Sequence, residues 1–316
     1  MKSLHIQGTT LGLLITLSLV GLSSGTISCQ SPRGPGQLIS IRPFAKDLAY
    51  AAQSPAQKLD VYLPETGEGP FPVIVSIHGG AFLGGDKADG QLIPMLKGLE
   101  RGYAVVSVNY RLSGEAKFPA QIQDVKAAIR WLRAHAQEYK LDSARIAVWG
   151  GSAGGHLSAM AGTSGGVAAL EDLSQGNPGV SSRVQAVVDW FGPIDFLQMD
   201  PQFVESGKGR PDHSEASSPE SKLLGAQITS IPEKVKEASP ATYISSDDPP
   251  IFIQHGTIDR LIPTAQSILF AGQLTEVLGA EKVTLSLLEG ADHGGPQFDA
   301  ASNVKIVLDF LDAHLK

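Results

Sequence analysis

The pattern Gly-x-Ser-x-Gly occurs three times in this chain of 316 residues, and one copy has surroundings that suit chemistry. Ser23 lies in an apolar N-terminal stretch, and Ser164 follows the helical run HLSAMA as a helix end would. Ser152, in Gly150-Gly151-Ser152-Ala153-Gly154, stands instead between an apolar run and a helical pattern. A serine hydroxyl is a weak nucleophile that needs a neighbouring base and open access to its electrophile. A sharp strand-to-helix turn gives that access. It requires neighbours almost without side chains, as Gly150, Gly151, Ala153, Gly154 and Gly155 are. The first N–H groups of the following helix would then face a developing oxyanion.

A serine of this kind is served by an acid and then a histidine, in that chain order, on loops after later strands. Asp259, in HGTID, follows an apolar run at 251–254, and His293, in GADHG, follows another at 283–288. His293 would take the serine proton, and Asp259 would hold the imidazole tautomer. Among other histidines, His255 reads as a structural hydrogen-bonding residue at a strand end, His156 points away from the turn by helical spacing, and His314 is near the terminus. Asp292 is adjacent to His293 and badly placed to orient it, and Asp247 and Asp248 precede their strand. Asp195, after an earlier strand, is the rival to Asp259. In His78-Gly79-Gly80-Ala81 the backbone N–H of Gly79 or Gly80, with that of Ala153, would form an oxyanion hole. Asp86 occupies the place of a phosphate-loop lysine, which excludes a nucleotide reading. None of this chemistry needs a metal or a cofactor.

The elements that must hold these residues alternate. Residues 72–78, 104–109, 145–150, 184–190, 251–254 and 283–288 are short, nearly continuous apolar runs, as in strands covered on both faces, while 58–63 (KLDVYL) alternates. Helical patterns occupy 119–139, 263–278 and 303–315. The expected fold class is α/β, a doubly wound and mostly parallel sheet. Residues 196–246, polar and punctuated by five prolines, interrupt the alternation and are expected to form a cap-like insertion in a domain spanning 46–316.

The net charge of −7, with no block of Lys or Arg, argues against a nucleic-acid partner. A single cysteine excludes an intramolecular disulfide and a thiolate-rich metal site. Lys2, the apolar residues 11–22 and the small residues 23–25 have the layout of a secretory signal, assigned to residues 1–28, before a Pro/Gly linker at 29–45. Cys29 follows as in a bacterial lipoprotein signal, with Thr26 where leucine is usual, so a lipid on Cys29 is the one membrane link expected. The alternative is cleavage near Gly25 with a free thiol.

Taken together, IHGGAFLGGDK, VNYRLSGEAKFPAQIQDVKAAIRWLR, RIAVWGGSAGGHLSAM, SPESKLLG, EASPATYISSDDPPIFIQHGTIDRLIP and GADHGG cover most of residues 59–316. In these stretches the chain resembles α/β-hydrolase esterases of the hormone-sensitive-lipase-like group and, more closely, the BD-FAE-type bacterial carbohydrate and feruloyl esterases. The resemblance implies Ser152, Asp259 and His293 as a triad and the Gly79-Gly80 loop as oxyanion hole. It departs from the group at Ala81, where a third glycine is common, and at Gly295, where a bulky residue is usual. The expectation is an exported serine hydrolase acting on small-molecule or polysaccharide-linked esters, acetyl or feruloyl rather than long triglycerides. A prolyl-oligopeptidase-like peptidase and a non-catalytic binding protein of the same fold are the rivals.

Overall fold

The computed structural model describes residues 41–316, so the expected signal at 1–28, Cys29 and most of the expected linker lie outside the described residues. Among the described residues there are eight strands: β1 (Ala45–Ala49), β2 (Lys58–Tyr62), β3 (Phe71–Ile77), β4 (Ala104–Val108), β5 (Leu141–Gly151), β6 (Ala186–Trp190), β7 (Ile251–Gly256) and β8 (Val283–Leu288). They form one sheet in the order β1-β2-β4-β3-β5-β6-β7-β8. β1 and β2 join antiparallel, and every pair from β4 to β8 is parallel. Strands β3, β4, β6 and β7 are buried along their whole length, as helices on both faces require.

The helices are α1 (Ile93–Leu96), α2 (Ala120–Ala134), α3 (Ala153–Thr163), α4 (Phe196–Ser206), α5 (Pro219–Leu224), α6 (Pro232–Glu237), α7 (Thr264–Leu278), α8 (Pro296–Asp299) and α9 (Ala301–Leu315). Two apolar cores result. One face of the sheet packs on α2, α3 and α7 through Ile122, Leu157, Met160, Phe270 and Leu274. The other packs on α1, α8 and α9 through Met95, Phe298, Val307 and Leu311. None of the helices among the described residues is long and apolar enough to cross a membrane.

Two elements differ from the sequence pattern. The helical periodicity of 119–139 forms a helix only to Ala134; residues 135–140 turn back into β5, with Lys140 at φ +56°. β1 had no sequence signature. It is a half-exposed edge strand with one neighbour and a register shift between Ala45 and Leu48, which breaks any period-two pattern.

The segment 196–246 is helical rather than irregular. Pro219 opens α5 behind a Ser218 cap that accepts the Ser221 N–H, and Gly207 and Gly225 close α4 and α5 in left-handed conformations. Phe196, Met199, Leu223, Leu224 and Val235 join the core beneath α2, α3 and α7. The segment also touches loops at the C-terminal end of the parallel strands: the Phe118 N–H donates to Leu223 O, and Lys208 Nζ donates to Thr257 O.

The loop between β4 and α2 is anchored by Asp124, which is fully buried. Its carboxylate accepts from Arg111 Nη2 at 2.7 Å, from Arg111 Nε and N at 2.9 Å, and from Gln57 Nε2 at 2.8 Å. Removing one partner of such a cluster strands the others away from water. Asp124→Ala is therefore expected to lower the free energy of urea unfolding by about 3 kcal/mol. A change below about 1 kcal/mol would show that Asp124 does not anchor this loop.

Candidate active site

β5 runs into α3 through Ser152, which adopts φ 59° and ψ −123°, a conformation that costs a side-chain-bearing residue energy. The turn is held by the Ser152 N–H donating to Trp190 O at 2.9 Å and by Ser152 O accepting the His156 N–H at 3.0 Å. Space dictates its glycines. A β-carbon on Gly154 would lie 2.1 Å from Ile77 O, and one on Gly155 would lie 2.4 Å from Asp189 Oδ1. The Ala153 N–H is the first of α3 and has no carbonyl within the helix to bond.

The loop after β3 passes over this turn. A β-carbon on Gly79 would fall 3.3 Å from Ser152 Cβ and 2.7 Å from Gly151 O. Gly80, Ala81 and Phe82 follow one another at φ 112°, 56° and 60°. This run is held from within by Gly80 O accepting the N–H groups of Leu83 and Gly84, and from outside by Phe82 O accepting the Ser113 N–H and hydroxyl. His78 stacks on Tyr110 with ring centroids 4.4 Å apart, and the Tyr110 hydroxyl donates to His78 O. The Gly79 N–H donates to Gln91 Oε1 at 2.9 Å, and Asp89 orients that carboxamide by accepting from Gln91 Nε2 and N. The Gly79 amide is thus bonded within the protein, and of the expected pair Gly80, with Ala153, remains as the candidate oxyanion donor.

Asp259 and His293 come together from loops after β7 and β8. His293 Nδ1 donates to Asp259 Oδ2 at 2.8 Å, while Asp259 Oδ1 accepts the N–H groups of Leu261 and Ile262 at 2.8 and 2.9 Å. Burial alone would raise the Asp259 carboxyl, but the facing His293 and His255 and their hydrogen bonds hold it well below the ordinary carboxylate range. The group therefore faces His293 as an anion. Phe191, at φ 43° just past β6, links this pair to the turn. Its ring meets that of His293 at 4.6 Å, edge to face, and lies 3.1 Å from where a Gly151 β-carbon would be.

The rival residues have other work. Asp195 caps α4 by accepting the Leu197 N–H, and Asp292 accepts the backbone N–H groups of Arg260 and His293. His156 is buried between Phe82 and Phe196 with Nδ1 on Pro193 O; burial lowers its pKa to about 4. Ser164 is fully buried at the end of α3. Two participants escaped the sequence: Gln91 reaches Gly79 across twelve residues of loop, and Phe191 owes its position to a left-handed backbone. His255, read as a structural hydrogen-bonding residue, bonds Ser267 and Ile262 O and also lies 3.1 Å from Asp259 Oδ2.

Beneath the turn, the buried Asp189 accepts the Gly192 N–H through Oδ1, while Oδ2 has no hydrogen-bond partner among the described residues. Burial pushes its carboxyl up to about 6, against a lesser pull from the Gly192 N–H and from His255. A raised carboxyl pKa stabilises the fold fully below the unfolded value and loses that contribution as pH rises through the folded one. Asp189→Asn keeps the neutral shape, so its stability relative to the parent chain is expected to improve by about 2–3 kcal/mol between pH 4 and pH 8. Urea unfolding at the two pH values measures it, and an equal difference at both would refute the assignment.

The BD-FAE family model matches residues 59–274, a span that holds Gly80, Ser152 and Asp259. The chain is 35% identical over 259 residues to the probable carboxylic ester hydrolase LipM of Mycobacterium tuberculosis, covering 77% of this chain and 55% of LipM. It thus spans little more than half the length of that curated relative. Among solved structures, a truncated form of carbohydrate esterase from gut microbiota matches at 35% identity and a TM-score of 0.76, over 89% of this chain and 99% of that one. A bifunctional GH43-CE protein of Bacteroides eggerthii matches at 38% identity and a TM-score of 0.75, over 86% of this chain and 35% of that one. With the fold, the strand-to-helix serine and this match over most of its length, the chain belongs to the BD-FAE family of α/β-hydrolases.

Proposed function

We propose that the protein hydrolyses carboxylic esters through an acyl-enzyme on Ser152. The observation that carries this reading is the strained Ser152 turn at the same end of the sheet as the His293–Asp259 pair, with Phe191 packed against both. His293 Nε2 takes the hydroxyl proton as Ser152 Oγ bonds to the ester carbonyl carbon. The carbonyl oxygen, now negative, is received by the N–H groups of Gly80 and Ala153, each donor being worth about 3 kcal/mol to the transition state. The alcohol leaves with the proton that His293 held. A water then repeats the sequence on the acyl group, releasing the acid and restoring Ser152. Throughout, Asp259 stays ionised and holds His293 in the tautomer that leaves Nε2 free to accept.

Acetyl or feruloyl esters on sugars or small alcohols are the favoured substrates. Support comes from the family resemblance and from the two carbohydrate-esterase neighbours. The exposed apolar Leu83, Ile258 and Leu261, on the loops carrying Gly80 and Asp259, suit an acyl or aromatic acid group. Residues 11–22 and Cys29 support export, with Cys29 as a lipid attachment point.

A fluorophosphonate probe, with acetyl, feruloyl and p-nitrophenyl esters beside peptidyl amides, tests the proposal. Ser152 should carry the adduct, and Ser152→Ala should lose both labelling and turnover. Asp259→Asn should lower turnover by about 10⁴-fold, while Asp195→Asn leaves it unchanged. Ester turnover persisting in Ser152→Ala would overturn the mechanism, and amide turnover without ester turnover would favour the peptidase. The intact mass of the mature protein reports on Cys29.

A further inference from the structure

Asp259 is gripped from two sides, and the second grip has no part in the steps above. His255, the penultimate residue of β7, is fully buried. Its Nε2 lies 3.1 Å from Asp259 Oδ2 and 3.0 Å from Ile262 O. A carboxylate and a carbonyl both accept, so Nε2 carries the hydrogen. On the other side of the ring, Nδ1 lies 2.7 Å from Ser267 Oγ on α7. Asp259 Oδ2 thus accepts the His293 N–H and lies within reach of the His255 Nε2–H, which it shares with Ile262 O, while Oδ1 receives two backbone N–H groups. The titratable groups that face His255 are Asp259, His293 beyond it and Asp189 on β6; Phe191 adds a ring edge at 6.5 Å, and α7 presents Ser267.

We propose that His255 is a positioning residue for His293: its Nε2–H fixes the plane of the Asp259 carboxylate and draws charge from Oδ2, and so sets how readily His293 takes up the Ser152 proton. The proposal rests on the acyl-enzyme reading. The charge on Oδ2 is shared between the two rings. Without the second donor, the carboxylate attracts a protonated His293 more strongly and swings more freely. His293 then keeps its proton to higher pH and presents Nε2 less often in line with Ser152. Substrate binding is untouched, because His255 lies behind Asp259 and away from solvent.

The test uses the full chain with His255→Leu, His255→Gln and Ser267→Ala. It follows the pH dependence of fluorophosphonate labelling at Ser152, kcat and KM on p-nitrophenyl acetate, and Tm. His255→Leu should lower kcat about tenfold with KM nearly unchanged and move the acid limb of labelling up by about half a pH unit. His255→Gln, whose amide N–H replaces Nε2–H, should recover most of both. Ser267→Ala, which removes the hydroxyl that steadies the ring, should shift the limb the same way by less, and it decides the matter if His255→Leu does not fold. An unmoved or lowered acid limb in these variants, or a glutamine no better than leucine, would overturn the proposal. Failure of the acyl-enzyme reading would show separately, as no labelling of Ser152 in the unaltered chain.

Discussion

The site depends on one close approach of backbone to backbone. Ile77 O, at the end of β3, occupies the place where a side chain on Gly154 would begin, and a β-carbon on Gly150 would run into the Gly154 carbonyl group at 2.3 Å. β3 and the start of α3 are therefore in direct contact, with nothing compressible between them. The distance from the loop after β3 to Ser152 is set by that contact rather than by side-chain packing. The same holds behind the turn, where Gly155 and Gly192 make room for the Asp189 carboxylate.

The loop that crosses Ser152 is fixed at both ends by buried polar groups. At its start, His78 is stacked on Tyr110 and Gly79 is tied to Gln91. At its end, the Lys87 N–H donates to Asn109 Oδ1, and the Lys87 ammonium lies 2.8 and 2.9 Å from Asp47 and Asp60. Asp60 is buried and would be costly without that partner. Three successive left-handed residues between these anchors are tolerable because the surroundings over-determine them. Of the left-handed residues, Ser152 and Phe191 lie at the candidate site, and Phe82 belongs to the loop that crosses it.

Much of this is legible in the amino-acid sequence. Runs such as PVIVSI and AVVSV announce strands covered on both faces, because burial on both sides leaves no polar alternation. Ser152 was separable from Ser23 and Ser164 by what precedes and follows it, and Asp259 and His293 by the strands before them. What escaped depends on local geometry that residue types do not encode. His255 and Asp259 are four residues apart across a turn, and only the path of that turn brings Nε2 to the carboxylate. Gly79 and Gly80 are identical in sequence, and Gln91 alone decides which amide is used up. β1 was invisible because an edge strand with a register shift has no period to read, and the helices within 196–246 because they are short and broken by prolines and glycines.

That segment meets the Asp259 loop through the Lys208 ammonium, which donates to a carbonyl oxygen of the main chain at Thr257. A carbonyl is present whatever residue occupies the position, so the joint does not depend on the identity of residue 257. At this joint, substitution at residue 257 leaves the acceptor for Lys208 in place.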